Sequence, residues 1–327
     1  MNYLIGGNGY IGHTVNKYFL DNKKETQVVD TNIYNLNGLN EDLIDVDLRN
    51  QNDYKKIDFT NSNVILLAGL VGDPITKKYP ELSKKINENA LLNFIKYIEN
   101  QNINKLVFIS TCSNYGLKFD DELVNEESVL DPKSLYAKAK VKIEKYVQET
   151  DLDYTILRFA TAFGHSKRMR FDLTLNEFVA KLFFEQEIEV YDANTWRPYC
   201  HVQDFSRAIH TVIYDQNRNA SREIFNIGSN DNNITKKDLV EKIHSKVSKG
   251  KYIITDKSSD PRNYKVDFSK AREKLSFETN FSLDFGINEI IQKLKKNEYE
   301  LSENPKSFLN YGNYFINTDR HQDRLED

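Results

Sequence analysis

The first half of the chain alternates two patterns, and that alternation restricts the fold more than any other feature. Short apolar or β-branched runs, "NYLIGG", "TQVVD", "NVILLAG", "KLVFIST" and "DYTILRF", are separated by longer amphipathic segments. "YIGHTVNKYFLDN" and "INENALLNFIKYIENQ" carry apolar residues at helical spacing, as at Leu91, Leu92, Ile95 and Ile98. Strands that are apolar along their whole length are buried on both faces, and helical crossovers supply the cover. Right-handed crossovers then predict an α/β protein with an open, doubly wound parallel sheet.

The second half is less regular. Helices are predicted over Arg170 to Gln186, over "VQDFSRAIHTVIYDQ" with Asp204 as cap, over "NITKKDLVEKIHSKV" with Thr235 and Asp238 as a capping box, and over Ser282 to Tyr299. The stretch from Leu301 to Asp327 is polar and reads as partly loose. No repeat or low-complexity linker separates the halves, which are expected to interleave around a cleft. The expected division is 1–165 plus about 187–230 for a cofactor-binding domain, and about 166–186 plus 231–327 for a substrate-binding domain.

Composition excludes several classes. The 327 residues are 39% hydrophobic and 29% charged with a net charge of -4, and the lysine pairs are scattered among acids, so nucleic acid is not an expected partner. The longest apolar stretch, Val64 to Gly72, is too short to span a bilayer, and no secretory pattern opens the chain. Two cysteines without a C-x-x-C, and six histidines without H-E-x-x-H, predict a cytoplasmic protein with reduced thiols and no metal site.

The chain has 13 glycines, and four fall in its first twelve residues. Gly6, Gly9 and Gly12 stand three apart between a predicted strand and a predicted helix, where unpaired N–H groups and the helix dipole suit a pyrophosphate. Gly6 would allow the turn, Gly9 the close approach of phosphate, and Gly12 tight packing of helix on strand. Asp30 ends the second predicted strand, 18 positions after Gly12, where a carboxylate accepts the ribose hydroxyls of the adenosine half. A 2′-phosphate about 5 Å from that carboxylate costs roughly 3 kcal/mol per unit charge at an effective dielectric near 20, so NAD is expected rather than NADP.

Tyr136 and Lys140 are four apart on an amphipathic segment and share a helical face. They follow "FISTCSNYG", the end of a predicted parallel strand, which is where open α/β sheets build their sites. Tyrosine is ordinarily protonated at neutral pH, and a nearby ammonium lowers its pKa. Tyr136 could then remove a hydroxyl proton while Thr111 or Ser113 holds the oxygen.

With these residues in view, the chain resembles the extended short-chain dehydrogenase/reductases that act on nucleotide-diphosphate sugars. The likeness runs from Gly6 to about Gly286 through "DLRN", "LAGLVGD", "STCSNYG", "YAKAK", "LRFATAFG", "WRPYCHVQDFSRAI" and "DPRNYKVDFSKAREKLSF". It implies a Rossmann domain with a smaller substrate domain and a catalytic set of Thr111, Tyr136 and Lys140, with Lys140 also bonding the nicotinamide ribose. It implies cofactor contacts from Tyr10 and Ile11 on the glycine turn, from Asp47 and Leu48 by the adenine, and from Ala68 and Gly69. Ser113, Asn176, Arg197 and Arg262 would bind the substrate, Asn176 at the pyrophosphate and the arginines on the phosphates. Asn87, His201 and Asp204 match family positions and read as structural. A homodimer through the helices of Asn87 to Ile98 and Tyr136 to Val147 is also implied.

The resemblance bears on the reaction as well. Related dehydratases carry an Asp-Glu pair after the hydroxyl residue, whereas Cys112 and Ser113 follow Thr111, so dehydration is not expected. Cys112 is one position away from the cysteine of the 3,5-epimerase/reductases and reads as a packed thiol. Oxidation at C4 of the sugar remains, either as a 4-dehydrogenase or as a 4-epimerase that returns the hydride. "GHSKRMRFDLTLNEFV" with "WRPYCHV" is most similar to the bacterial surface-polysaccharide branch, and within it to GDP-manno-heptose 4-dehydrogenases. Thr161 and His165 stand where relatives often carry Asn and Pro. Non-catalytic relatives that bind NAD usually lose the tyrosine or the lysine, and this chain keeps both.

Overall fold

The computed structural model describes residues 1–31, 42–118, 123–256 and 262–299. Seven strands form one parallel sheet: β1 (Asn2–Ile5), β2 (Thr26–Asp30), β3 (Ile44–Asp45), β4 (Asn63–Leu66), β5 (Lys105–Thr111), β6 (Tyr154–Phe159) and β7 (Glu223–Ile227). Their order is β7-β6-β5-β4-β1-β2-β3. The five apolar runs of the sequence are β1, β2, β4, β5 and β6. β3 is only two residues long and so carries no periodicity, and β7 lies in the less regular half. From β1 the chain moves outward to β2 and β3, then returns to place β4 on the other side of β1. That reversal opens a crevice at the carboxyl ends of β1 and β4.

Alternation along the strands sorts the core into two layers. Leu4, Ile65, Val107 and Leu157 face α1 (Tyr10–Asp21) and α5 (Val202–Ile213), packing with Val15, Phe19, Phe205 and Ile209. Ile5, Val64, Leu66, Phe108 and Ile156 face α2 (Leu91–Ile98) and α3 (Leu135–Glu149), packing with Phe94, Ile95, Ile143 and Val147. Each fully buried aliphatic or aromatic side chain contributes roughly 1.5–3 kcal/mol relative to exposure, so both helical layers are needed to hold the sheet. α2 is entered through a short helix, Pro80–Lys84, and a π-helical turn, Lys85–Ala90. Asn87 lies on this turn, and its amide brackets Leu70, accepting from the Leu70 N–H (2.7 Å) and donating to its carbonyl (3.0 Å).

A second core joins Phe163, Leu175, Tyr199, Ile243, Ile287 and Ile290 between α4 (Thr174–Phe183), α6 (Lys236–Val247) and α7 (Leu283–Lys295). Strand Trp196–His201 pairs with Thr161–Phe163 and Asn233–Thr235, and Glu187–Val190 pairs with Lys251–Ile254. Residues 187–201 thus pair with strands of this second layer, whereas from sequence they were expected in the cofactor-binding domain. Their hydrogen-bond partners lie in the second layer, and the chain rejoins the first at Val202.

Thr235 caps α6 as expected, its hydroxyl oxygen accepting from the Asp238 N–H (3.1 Å). The cap of α5 is His201, whose Nδ1 accepts from the Gln203 N–H (3.3 Å), rather than Asp204. The Asp204 carboxylate is buried and accepts from the backbone of Asn280 and Phe281 (2.9 and 3.1 Å), tying α5 to the segment before α7. The stretch from Leu301 to Asp327 lies outside the described residues.

Candidate active site

The glycine turn is built for contact between backbones. Gly6 has a φ of 79°, and a Cβ there would lie 2.5 Å from the Ala68 backbone, because the turns after β1 and β4 touch. A Cβ on Gly12 would lie 2.3 Å from the Gly7 carbonyl oxygen, so only glycine lets α1 sit on the turn. Gly9 caps α1 without a side-chain hydrogen bond, and Gly9, Tyr10, Ile11 and Gly12 line the cleft. The first N–H groups of a helix have no partner within it and here meet the cleft wall. The Tyr10 hydroxyl is turned away and donates to the Gly164 carbonyl (2.6 Å), anchoring the turn to the second layer.

Asp30 closes β2 beside this turn, and its Oδ2 accepts from the Asn8 N–H (2.9 Å). Asp47 and Leu48 also line the cleft, with the Asp47 carboxylate held by Arg49 (2.8 Å). Ala68 and Gly69 complete this end, Gly69 against the Asn87 amide. An uncapped helix start, a bare glycine turn and a fixed carboxylate at the ribose end match the adenosine pyrophosphate of NAD in shape and charge.

The cleft measures about 860 Å³ and runs from Asp30 past the turn to Thr111 and Tyr136, and on to Arg197 and Arg262. Its described lining carries Arg49, Lys77, Lys133, Lys140, Arg170, Arg197, Lys236 and Arg262 against Asp30, Asp47, Asp73 and Asp172. A net-negative protein thus presents a cationic cleft, the complement of phosphate-rich ligands.

Thr111 ends β5, and its hydroxyl oxygen accepts from the Ser113 N–H (3.1 Å), leaving its hydrogen to donate. Ser134 caps α3 through the Ala137 N–H (3.2 Å) and so sets Tyr136 in the first helical turn at the cleft. Burial pushes the Tyr136 phenol up, while the Arg170 guanidinium lowers it and the Asp73 carboxylate raises it. The Lys140 Nζ stands 5.7 Å from the centre of the Tyr136 ring and donates to the Ile109 carbonyl (2.7 Å). Burial lowers Lys140 to about 7, and Glu144, one turn further along α3, pulls the other way. Glu144 is itself buried and accepts from Arg158 (2.7 Å), Asn114 (2.8 Å) and Ser110, which fixes the end of β5 to α3.

On the substrate side, Ser113 Oγ lies 3.3 Å from the Tyr264 hydroxyl and 3.4 Å from Arg262 Nη1. Arg197 lies with its guanidinium 5.3 Å from the Tyr264 ring centre and donates to the Trp196 (2.7 Å) and Arg262 carbonyls. Asn176 is the exception to the expected set. It is fully buried, its Oδ1 accepts from the Gly164 N–H (3.1 Å), and its Nδ2 donates to the Arg170 carbonyl (3.0 Å) and the Tyr10 hydroxyl (3.3 Å). Its side chain braces the glycine turn from behind, with both its oxygen and its nitrogen engaged by the protein. His201 is likewise buried, with its Nε2 on Glu289 (2.9 Å). Cys112 is buried with its thiol on the Arg158 carbonyl (3.3 Å) and its pKa raised by burial, so it is a packed thiol.

The cleft also contains Asp73, Arg170 and Arg49, which the sequence reading did not single out. Asp73 and Arg170 lie inside segments already marked by motif, "LAGLVGD" and "RMRFDLTL". No periodic or spacing signal in the sequence brings either residue to Tyr136. Among the described residues, no group of three or more His, Cys, Asp or Glu side chains could hold a metal ion, and no helix is long and apolar enough to cross a membrane.

A doubly wound sheet with this turn and this Tyr136–Lys140 pair defines an NAD-dependent enzyme. Residues 3–228 match the NAD dependent epimerase/dehydratase family, and the chain belongs to it. It is 26% identical over 322 residues to a UDP-glucuronate 4-epimerase of Thermodesulfobacterium geofontis, covering 90% of this chain and 96% of that one. It is 25% identical over 271 residues to protein CapI of Staphylococcus aureus, covering 75% and 80%. Among solved structures, UDP-glucose 4-epimerase of Thermotoga maritima with UDP-glucose superposes with a TM-score of 0.77 at 24% identity, covering 91% of this chain and all of that one. The cofactor is NAD.

Proposed function

We propose that this enzyme oxidises C4 of a nucleotide-diphosphate sugar, with Tyr136 as the base, Lys140 as its electrostatic support and Thr111 as the hydroxyl that holds the sugar oxygen. The observation that supports this reading most is the convergence of Thr111, Tyr136, Lys140, Arg197 and Arg262 on one cationic cleft. Tyr136 takes the C4 hydroxyl proton, and the Lys140 charge and the Arg170 guanidinium favour the phenolate. Thr111 donates its remaining hydrogen to the sugar oxygen. Bound NAD would supply the acceptor for the C4 hydride. Arg197 and Arg262 are suited to the diphosphate as planar, permanently charged donors.

The named relatives favour a 4-epimerase, in which the 4-keto sugar turns within the cleft and takes the hydride back on its other face. The second reading is release of the 4-keto sugar, as in GDP-manno-heptose 4-dehydrogenases, and rests on the "GHSKRMRFDLTLNEFV" likeness. Either product suits bacterial capsular or lipopolysaccharide synthesis, and the match to CapI agrees with a capsule role. A homodimer through α2 and α3 belongs to the same proposal. The outward faces of those helices carry Lys96, Lys138, Lys142 and Lys145, so that seam would be polar.

Mass spectrometry of UDP-, GDP- and CDP-hexoses and of GDP-heptose, after incubation with enzyme and NAD, tests the proposal. Unchanged mass with altered chromatographic mobility is expected for the epimerase. A product lighter by two hydrogens, accumulating only with an added hydride acceptor, would establish the dehydrogenase. Loss of water would overturn both readings, and no change in any sugar nucleotide would remove the proposal.

A further inference from the structure

Asp73 is a carboxylate in the cleft that the reaction does not use. It begins the short helix Asp73–Lys78 after β4, and its Oδ2 lies 2.9 Å from Arg262 Nη1. That same nitrogen is 3.4 Å from Ser113 Oγ, so a single guanidinium nitrogen links Asp73 to the strand end that holds the sugar. Asp73 is also close enough to Tyr136 for its charge to act on the phenol. The neighbouring cation, Arg170, is held by both oxygens of Asp172, at 3.0 and 2.7 Å, and so balances a different acid. Arg262 is the cation that balances Asp73.

In the nucleotide-sugar reading, on which this inference rests, Arg262 serves the diphosphate. Once it turns to that ligand, the Asp73 carboxylate loses its ion-pair partner beside the sugar. We propose that Asp73 is a specificity residue that admits neutral sugars and refuses uronic acids. The carboxyl group of a hexuronate is attached to the ring carbon next to C4, which Tyr136 must reach, so the two carboxylates would face each other across a few ångströms. A like charge at such range, in a partly exposed cleft, disfavours binding by about 10- to 100-fold. Exclusion through an unpaired like charge is a general route to discrimination. This chain would thus differ in sugar preference from its relative named for UDP-glucuronate.

The test is calorimetric titration of the NAD-loaded wild type, Asp73→Asn and Asp73→Glu with matched ligands: UDP-glucose against UDP-glucuronate, GDP-mannose against GDP-mannuronate, and free UDP and GDP. The wild type is expected to prefer the neutral member of its accepted pair by at least tenfold. Asp73→Asn should shrink that ratio to within about threefold, and Asp73→Glu should restore it. Equal binding of both members by the wild type overturns the proposal, as does an unchanged ratio in an Asp73→Asn protein of unaltered melting temperature. Binding of free UDP or GDP without any neutral preference sinks the role of Asp73 and leaves the nucleotide-sugar reading standing. Failure to bind any of these ligands removes that reading and this inference together.

Discussion

Replacing Lys140 with methionine should stabilise the protein below neutral pH, even as it removes the charge that the proposed oxidation needs. The Lys140 side chain is buried between Phe108 and Tyr136, with its Nζ 4.7 and 5.7 Å from their ring centres and one hydrogen bond, to the Ile109 carbonyl. Glu144 is the nearby acid, but Arg158 already holds its carboxylate, so burial dominates and Lys140 falls from 10.5 to about 7. In the unfolded chain the lysine titrates near its ordinary value. Below about pH 7 the folded protein must carry a buried ammonium, and the penalty is complete, at about 5 kcal/mol. Between pH 7 and 10.5 the penalty shrinks as the folded form binds fewer protons than the unfolded one, and above 10.5 it is gone. Methionine removes the charge but strands the Ile109 carbonyl, at about 1–3 kcal/mol. Lys140→Met is therefore expected to be more stable than wild type by about 2–4 kcal/mol at pH 6, or about 3–6 °C for a chain of this size. The difference should pass through zero near pH 9 and reverse at higher pH. Scanning calorimetry of both proteins without cofactor, from pH 6 to 10.5, measures it. A variant less stable than wild type at pH 6, or a difference that does not vary with pH, would refute the reasoning. The expected result would mean that the site keeps a destabilising charge because Tyr136 needs it.

Two further outcomes follow from the same geometry. Tyr136→Phe removes the proton acceptor but no group on the adenosine side, so turnover should fall by about 10²–10⁴-fold while the Kd for NAD, read by fluorescence, stays within a few-fold. In the active protein, ionisation of the phenol, which burial raises, favours turnover at higher pH while loss of the Lys140 charge above about pH 7 opposes it, and any residual activity of the variant should lack the rising part. Asp30→Ala should weaken NAD and narrow its advantage over NADP if the carboxylate, fixed at the turn by the Asn8 N–H, accepts the ribose hydroxyls and repels a 2′-phosphate. Equal losses for the two cofactors would place Asp30 away from the ribose.

What could be read from sequence, and what could not, divides along a physical line. Strands β1, β2, β4, β5 and β6 are apolar throughout because both faces are covered, and that requirement is written in consecutive residues. Gly12 is legible for the same reason, since a Cβ there meets the Gly7 backbone only five residues back, whereas the neighbour that Gly6 must avoid, Ala68, is 62 residues away. Tyr136 and Lys140 declare themselves through a helical period that Ser134 caps and starts. Asn176 failed because its position along α4 suited the cleft equally well, while its direction was decided by Tyr10 and Gly164, 166 and 12 residues distant. The pairing of strand Trp196–His201 was not legible either, since its partners come from residues 161–163 and 233–235. Asp73 shows the limit most sharply. As a residue in sequence it is the acidic start of a short helix, which is a good place for any aspartate. Its meaning comes from Arg262, 189 positions away, which meets it only when the second layer closes over the sheet. Local periodicity thus specifies the scaffold and the candidate reacting groups fixed to its strand and helix ends, whereas the proposed choice among sugars rests on charges that only the folded chain brings together.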